Sequence, residues 1–262
     1  MAQAEFHGLE IEIRRFGGAR AVRVVHPEHQ EIGSHRHEWP YLSLPALGGY
    51  RETSHEGHTH IAGPAAILHG RGAEHANVIG TCGLETDTVE FDPGWMARLT
   101  GVDFGRTHRW LGGRAALAAR TLAAAWHDPR CGEQALVERT AAFLRLAGAS
   151  RPGPTPPWLG EAQRSIASDG PPTTAQLARR MRMHPAWLAR AYREAVGEGI
   201  HETLRRRRVE RATMMLRRTD LPLAEVALDC GFCDQGHMNR AFRALSRRTP
   251  LQVRLERGLL PA

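Results

Sequence analysis

A proline-rich stretch, Ser150–Pro157, is the feature that most restricts how this chain of 262 residues can fold. Four of its eight residues are proline, which cannot continue a helix and favours extended backbone. The pattern before this stretch is largely that of strands, and the pattern after it is helical. We therefore expect an α+β chain with an N-terminal sheet domain (1–105), a helical connector (106–149), the linker (150–157) and a C-terminal all-α domain (158–257).

The N-terminal domain places its apolar residues as strands do. Leu9–Arg14 alternates apolar and polar side chains, which predicts a half-buried strand. Short apolar runs follow at Ala21–Val25, Tyr41–Leu47 and Ala65–His69, with glycine and proline between them. Many short strands at this spacing predict a small barrel or sandwich.

The connector is rich in alanine, leucine and arginine at helical spacing over Arg114–Trp126 and Gly132–Leu146. Four residues of the second helix share one face, namely Leu136, Thr140, Phe143 and Leu144. That face can pack against the sheet domain or form a dimer interface. The sequence favours neither of these over the other.

Positive charge is concentrated in the C-terminal domain. The chain has a formal net charge of +7, and from Trp158 onward 19 arginines stand against 11 acidic residues. Residues 1–157 hold 16 arginines and 17 acids, and the chain contains no lysine. This distribution is expected if the C-terminal domain meets phosphate groups, but a solvated basic surface without a ligand has the same composition.

The C-terminal domain repeats one design, which is a short helix, a tight turn and a longer helix. In the first unit Thr173 or Thr174 caps the short helix, which turns Leu177 and Ala178 inward. Its turn is Arg182–His184, and Pro185 begins the longer helix at a position that tolerates proline.

The second unit follows one connecting helix, Ile200–Arg218. Pro222 starts its short helix, Gly231 makes the turn, and Phe232 fills the space between the two helices. The last long helix has an apolar inner face formed by Met238, Ala241, Phe242 and Leu245. Two such units at this separation predict a DNA-binding domain.

The segment Ala224–Arg243, followed by Thr249-Pro250, resembles the signature of the AraC/XylS family of transcription regulators. The same resemblance is carried upstream by Leu177, Ala178, Leu188, Tyr192, Gly197, Leu204, Arg208, Val209, Ala212 and Leu216. Four tolerable departures from the family pattern occur at His184, Gly199-Ile200, Cys233 and Met238. The resemblance implies two recognition helices that enter successive major grooves on one face of DNA.

The resemblance also implies which exposed positions face the bases. They are Ala186, Trp187, Ala189 and Arg190 in the first recognition helix, and Gln235, Gly236, His237, Asn239 and Arg240 in the second. Arg190 is the best base reader of the first helix, because arginine pairs with guanine whereas alanine offers only methyl contacts. Trp187 is explained equally well as a partly buried packing residue.

Phosphate contacts are expected from arginines that flank these positions. Arg205–Arg208 spans more than one helical turn, so its four side chains cannot all face DNA. The expected phosphate contacts are Arg193, Arg205, Arg206 and Arg243.

Histidines are concentrated in the N-terminal half, which holds 12 of the 15. His35 and His37 are two apart at the head of a predicted strand, so they can point to the same side, and His75 follows about 40 residues later. This arrangement resembles the metal motifs of cupin barrels and implies a cupin-like sensory domain. The family's carboxylate is missing, since Tyr41 and Leu42 stand at its place.

Three histidine ligands still suit zinc, nickel or iron. The alternative is that a regulator uses this barrel without a metal and that the histidines form hydrogen bonds within it. A separate group, His55, His58 and His60, falls in a predicted hairpin, and we expect it to be exposed to solvent.

The four cysteines, Cys82, Cys131, Cys230 and Cys233, are too few for a disulfide scaffold and fit a reducing compartment. Cys230 and Cys233 form a C-x-x-C motif without a second ligand pair, which favours a structural role. The chain shows no secretory signal and no apolar run long enough to cross a bilayer. We therefore expect a cytoplasmic protein without membrane contact.

The favoured hypothesis is a one-component transcription regulator that is not an enzyme and requires no cofactor, apart from a possible divalent metal in the barrel. Its expected partners are double-stranded promoter DNA, an unidentified small-molecule or metal effector, a second copy of itself, and RNA polymerase if it activates transcription. One alternative is a cupin-type metal-dependent oxygenase fused to a DNA-binding module. Another is an architectural DNA-binding protein whose barrel serves only dimerisation.

Overall fold

The structure is a computed structural model that describes residues 6–55, 57–63, 65–106, 108–149, 157–167, 172–246 and 248–255. Residues 150–156 of the predicted linker lie outside this part, and its last residue, Pro157, begins a helix. No helix in the described ranges combines the length and the apolar character that crossing a membrane requires.

The N-terminal half is built on an antiparallel sheet of eight strands. The strands are β1 (Leu9–Phe16), β2 (Ala19–His26), β3 (Glu31–Arg36), β4 (Tyr41–Ser54), β5 (Gly57–Ala62), β6 (Ile67–His69), β7 (Glu74–Phe91) and β8 (His108–Trp110). The main path runs β1-β2-β7-β4-β6-β8, with β3 on β7 and β5 on β4. For the described strands this path ends at β1 and β8, so the sheet-rich domain is confirmed but its closure into a cupin-like barrel is not.

Two long strands, β4 and β7, join the parts of this sheet. They have 14 and 18 residues, where the sequence predicted only short strands. Their pairing is interrupted by shifts in register between Pro45 and Leu47 and between Gly48 and Tyr50. Irregularities of this kind bend a strand and leave backbone groups outside the ladder. The bent pair β4 and β7 can therefore be part of two halves of the sheet that differ in orientation.

The first strand is present as predicted, but its buried side is the opposite of the one expected. Two of its polar side chains reach the end of helix α2 (Gly113–Trp126): Arg14 donates to the Trp126 carbonyl oxygen over 2.9 Å, and Glu12 lies 3.0 Å from His127, the residue after the helix. The alternation identified the strand, and these polar partners decide which side is covered. The apolar side chains are exposed by 46–60%, namely Leu9, Ile11 and Ile13.

The connector helices share one core with the sheet. They are α2 and α3 (Glu133–Ala149), and they follow the short helix α1 (Pro93–Thr100). The predicted inner face of α3 is fully buried and is formed by Leu136, Thr140, Phe143 and Leu144. It packs with Phe16 and Phe91 of the sheet, which confirms packing against the sheet domain and leaves the dimer interface a prediction.

The C-terminal half is helical throughout its described residues. Its helices are α4 (Pro157–Ala167), α5 (Thr174–Arg180), α6 (Pro185–Val196), α7 (Ile200–Arg218), α8 (Leu223–Asp229), α9 (Gln235–Ser246) and α10 (Pro250–Leu255). Helix α7 serves two cores, because Ile200 and Leu204 pack with α4–α6 whereas Val209 and Leu216 pack with α8–α10. The predicted connecting helix and both helix-turn-helix units are confirmed.

The two units use the same backbone turn. In the first, the Met183 amide donates to the Ala178 carbonyl oxygen over 2.9 Å, and 49 positions later Phe232 donates to Ala227 over the same distance. Each turn contains one residue in the left-handed region, Arg182 with φ 54° and Gly231 with φ 78°. Glycine adopts this region without steric cost, whereas a residue with a β-carbon is strained there.

We predict that Gly231→Ala lowers the free energy of unfolding by about 1 kcal/mol. Left-handed backbone costs an L-residue roughly 1–2 kcal/mol, and alanine recovers part of this by restricting the unfolded chain. A β-carbon at this position has room, since its nearest neighbour is an Arg208 side-chain atom at 3.4 Å. Urea unfolding followed by circular dichroism measures the effect.

The matched control is Arg182→Gly, the reverse change in the other unit. It should alter stability by less than about 0.5 kcal/mol, because relief of strain is offset by a more flexible unfolded chain. A loss as large as that of Gly231→Ala would contradict the equivalence of the two turns.

Candidate nucleic-acid interface and histidine cluster

The first recognition helix, α6, is anchored at both ends. Thr173 caps the preceding helix in a reciprocal capping box with Gln176. At the start of α6, His184 Nδ1 accepts a hydrogen bond from the Ala186 amide over 3.3 Å. His184 therefore caps α6 through its ring nitrogen. Gly197 ends the helix in the left-handed conformation.

The predicted base-facing residues of α6 lie on its exposed side, opposite the buried Leu188 and Tyr192. Ala186 and Arg190 are exposed, and Ala189 is half-buried. Trp187 is 43% exposed and packs edge-to-face on Trp158 at a ring distance of 6.0 Å. The packing interpretation of this tryptophan is therefore confirmed, and its contact with bases stays a prediction.

The second recognition helix, α9, carries more polar groups on its open side. Gln235, Gly236 and Arg240 are exposed, and Asn239 is half-buried. His237 has partners within its own turn: its amide donates to the Asp234 carboxylate over 2.6 Å, and its ring lies 5.3 Å from Phe232. The His237 ring also accepts a hydrogen bond at Nδ1 from the Cys233 amide over 3.4 Å, whereas Gln235, Asn239 and Arg240 keep polar groups on the open side of the helix. Base contacts by these residues stay a prediction.

Among the predicted phosphate contacts, Arg193 and Arg243 are exposed on α6 and α9, and Arg205 is half-buried. Arg206 is buried and faces the sheet instead. It donates to the Ala46 carbonyl oxygen over 2.7 Å and to Glu198 over 2.6 Å. The prediction of a phosphate contact at Arg206 is therefore wrong for this arrangement of the two halves.

Arg206 belongs to an interface in which α7 lies against the bend of β4. One turn further along α7, Glu210 accepts a hydrogen bond from the Gly48 amide over 3.0 Å, and Arg207 donates to its other oxygen over 2.6 Å. Burial raises the pKa of the Glu210 carboxyl, while Arg207 and Arg206 oppose this shift.

Further ion pairs join the halves on either side of α7. Arg218 donates to Glu28 over 2.8 Å, and Arg248 pairs with Glu85. Arg120 of α2 lies 3.2 Å from the Glu198 carboxylate that also binds Arg206. The helical units are therefore held on the sheet domain by several charged contacts.

The predicted histidine group comes together in space. His35 is near the end of β3, not at the head of a strand, and pairs in register with His75 of β7. Their ring centroids are 4.3 Å apart, and His37 lies 5.1 Å from His35 and 5.6 Å from His75. All three line a cavity of about 50 Å³.

These residues fit a metal by the chemistry of their donors. One nitrogen atom of each ring lies within 4.8 Å of the others. Burial, together with the neighbouring histidines, lowers the pKa of His37 to about 4 and that of His75 to about 3, so both rings are neutral as ligation requires. A bound divalent cation would supply Lewis acidity or a structural cross-link, and its presence remains a prediction.

The structure adds a second group that the sequence analysis missed. His69, His75 and His108 also place donor nitrogens within 4.8 Å of one another, and Glu52 lies 2.7 Å from His108 Nδ1. His69 ends a predicted apolar run, and no motif in the sequence links it to the histidines and the glutamate on the other strands. The pairing of β4 with β6 and β7, and of β6 with β8, brings these residues together.

Two remaining predictions concern side chains outside these sites. His55 and His58 are exposed at the β4–β5 hairpin, as predicted, and the side chain of His60 lies outside what the structure describes. Cys230 is buried in the core of the second unit, in contact with Met215, and Cys233 is exposed. Burial raises the pKa of the Cys230 thiol to about 11. A structural role for Cys230 is therefore confirmed.

The C-terminal helical units are similar to known helix-turn-helix proteins. A family model described as a helix-turn-helix domain matches residues 177–256. The HTH-type transcriptional regulator CdhR of Pseudomonas aeruginosa is 31% identical over 103 residues, which is 39% of this chain and 29% of that protein. The regulatory protein SoxS of Salmonella typhimurium is 34% identical over 68 residues, which is 26% of this chain and 64% of that protein.

This chain therefore spans less than two thirds of the length of these relatives. Among solved structures, ToxT of Vibrio cholerae aligns over 93% of this chain and 99% of its own, at 8% identity and a TM-score of 0.38.

The position of Arg206 gives a prediction that distinguishes an arginine at the α7–β4 interface from an arginine that contacts phosphate. Arg206→Ala should lower the free energy of unfolding by about 2 kcal/mol, because the Ala46 carbonyl oxygen loses its donor and the buried Glu198 carboxylate keeps Arg120 but loses its second counter-charge. The salt dependence of DNA binding should stay unchanged. Arg243→Ala should do the opposite, with stability within about 0.5 kcal/mol and the logarithmic salt slope reduced by about 1.

Urea unfolding and fluorescence anisotropy at several salt concentrations measure the two effects. Arg205→Ala is the matched control on α7, with a half-exposed side chain and a small expected loss of stability. If Arg206→Ala reduced the salt slope as much as Arg243→Ala does, Arg206 would contact phosphate and its assignment to the interface would be wrong.

Proposed function

We propose that this chain, whose C-terminal domain is a helix-turn-helix domain of the AraC type, is a sequence-specific transcription regulator that binds promoter DNA through α6 and α9. The observation that carries the proposal is the repeated unit within residues 177–256, with the same turn and an exposed helix face in each copy. The named relatives are transcriptional or regulatory proteins, which favours regulation over the oxygenase alternative.

The two helices contribute unequally to specificity in this proposal. Arg190 is the principal polar reader on α6, and its neighbours there offer methyl groups and one indole edge. Helix α9 offers Gln235, Asn239 and Arg240, whose side chains form two-pronged hydrogen bonds with adenine or guanine. We therefore expect the half-site under α9 to tolerate fewer base changes.

The N-terminal half is proposed to sense an effector and to pass its state to the helical units through α7. Support comes from the cavity beside His37 and from the contacts that α7 makes with β4. The effector's identity, homodimer formation and contact with RNA polymerase belong to this proposal. Binding of a divalent metal in this half also belongs to this proposal.

The proposal predicts that Arg240→Ala weakens binding to the specific site by about 1–3 kcal/mol. Binding to random DNA should be nearly unchanged, because loss of a base contact leaves the phosphate contacts in place. Fluorescence anisotropy with a specific and a scrambled duplex at one salt concentration measures both affinities.

Arg130→Ala is the control, since Arg130 lies in the N-terminal half and its side chain is 89% exposed. It should change neither affinity. Equal weakening on the specific and scrambled duplexes by Arg240→Ala would contradict base reading by α9.

A further inference from the structure

Strands β4, β6 and β8 carry a group of buried polar atoms. Among the described residues, both ring nitrogens of His69, His108 Nε2 and Glu52 Oε2 have no hydrogen-bond partner, and Glu52 Oε2 lies 4.0 Å from His69 Nδ1. His69 is fully buried, and Glu52 is 4% exposed. Buried imidazoles and carboxylates are normally satisfied by protein, water or a cation.

The geometry points to a divalent transition-metal site formed by His69, His75 and His108, with Glu52 as the residue that orients His108. This site is different from the set formed by His35 and His37, although both sets include His75. His75 has one nitrogen that an ion can take, Nε2, because Nδ1 lies 3.3 Å from the Ala73 carbonyl oxygen. Nε2 lies 3.1 Å from the Tyr41 hydroxyl, so an ion must displace this hydrogen bond and can occupy only one of the two sets. We assign it to His69, His75 and His108, which we call the inner set.

Hydrogen bonds already select the ligating nitrogens of two of these rings. Glu52 Oε1 lies 2.7 Å from His108 Nδ1, so this nitrogen carries the proton and Nε2 keeps its lone pair. His75 Nδ1 lies 3.3 Å from the Ala73 carbonyl oxygen, which fixes that ring in the same way. A carboxylate or carbonyl behind a ligating histidine is the usual outer-shell arrangement of protein metal sites.

The rings are close enough to converge. Their centroids are 4.6 Å apart for His69 and His108, 5.3 Å for His69 and His75, and 5.4 Å for His75 and His108. Tyr41 stacks on His69 at 4.3 Å and holds its plane. Zinc–nitrogen bonds of about 2.0–2.1 Å bring ligand nitrogens to roughly 3.4 Å from one another, so the rings must draw inward on binding.

The other set, His35, His37 and His75, which we call the outer set, can satisfy its nitrogens without an ion. His35 is partly exposed, and its Nδ1 lies 2.9 Å from the Gly33 carbonyl oxygen. It lines the cavity with His37, where water can satisfy the remaining nitrogens. His69 and His108 are not among the residues that line this cavity, so water in the cavity does not reach their nitrogens. The cavity instead offers an ion a path as far as His75.

Three imidazole ligands favour Zn²⁺, Co²⁺ or Ni²⁺ over Mg²⁺ or Ca²⁺, which prefer oxygen ligands. The test uses the full chain without a histidine tag, stripped with a chelator and then loaded with Zn²⁺ or Co²⁺. We expect one ion per chain by mass spectrometry after desalting, and an electronic spectrum of the Co²⁺ form that reports nitrogen ligands.

The variants separate the two sets. His69→Gln combined with His108→Gln should abolish binding, and Glu52→Gln should weaken the affinity about 10- to 100-fold. His35→Ala combined with His37→Ala should retain one ion per chain. The exposed pair His55→Ala and His58→Ala controls for adventitious binding and should also retain it.

A second measurement does not depend on whether the inner variants fold. In crystals of the wild-type chain grown with Zn²⁺, the anomalous peak should lie among His69, His75 and His108. A peak between His35 and His37, or a stoichiometry near zero, would overturn the assignment. DNA binding is measured separately, so failure here leaves the proposed regulator untouched, and loss of DNA binding leaves the metal site untouched.

Discussion

The arrangement of the whole chain depends on how helix α7 meets the bend in β4. The shifts in register around Pro45 and Gly48 release backbone groups from the ladder, and α7 satisfies two of them. Arg206 donates to the Ala46 carbonyl oxygen and Glu210 accepts from the Gly48 amide, four residues apart on one helix face. Leu47, between these groups, packs into the core of the second helical unit. A strand irregularity in one half thus becomes the attachment point of the other.

This attachment gives the two halves a physical connection. Helix α7 contributes to the cores of both helix-turn-helix units, so its position on β4 sets where both recognition helices stand. The same strand carries Glu52, which holds His108 at the inner histidine group. A change at the histidines that moves β4 therefore has a short route to α7 and, through it, to the helices proposed to read DNA.

Local patterns predicted the helical half well, because capping residues, proline, glycine and helical spacing act over a few residues. Ile200–Arg218 was predicted to its terminal residues, and the turn at Gly231 follows from its conformational freedom. Pairing between distant strands was not predictable in this way. The covered side of β1 depends on partners at the end of α2. Arg206 has the sequence context of a surface arginine, but its acceptor lies on β4. His69 and His108 are brought together by the pairing of β6 with β8.

The central claim is that α6 and α9 read two adjacent DNA segments with unequal strictness. Selection of bound duplexes from a random library, using the full chain, tests it most directly. The account predicts an enriched site with two specified segments about one helical turn apart, roughly 10 base pairs between centres, one of them more strictly conserved. That segment should lose its conservation when Arg240 is replaced. Recovery of sequences with no common site, or a site unaffected by changes in either helix, would contradict the account.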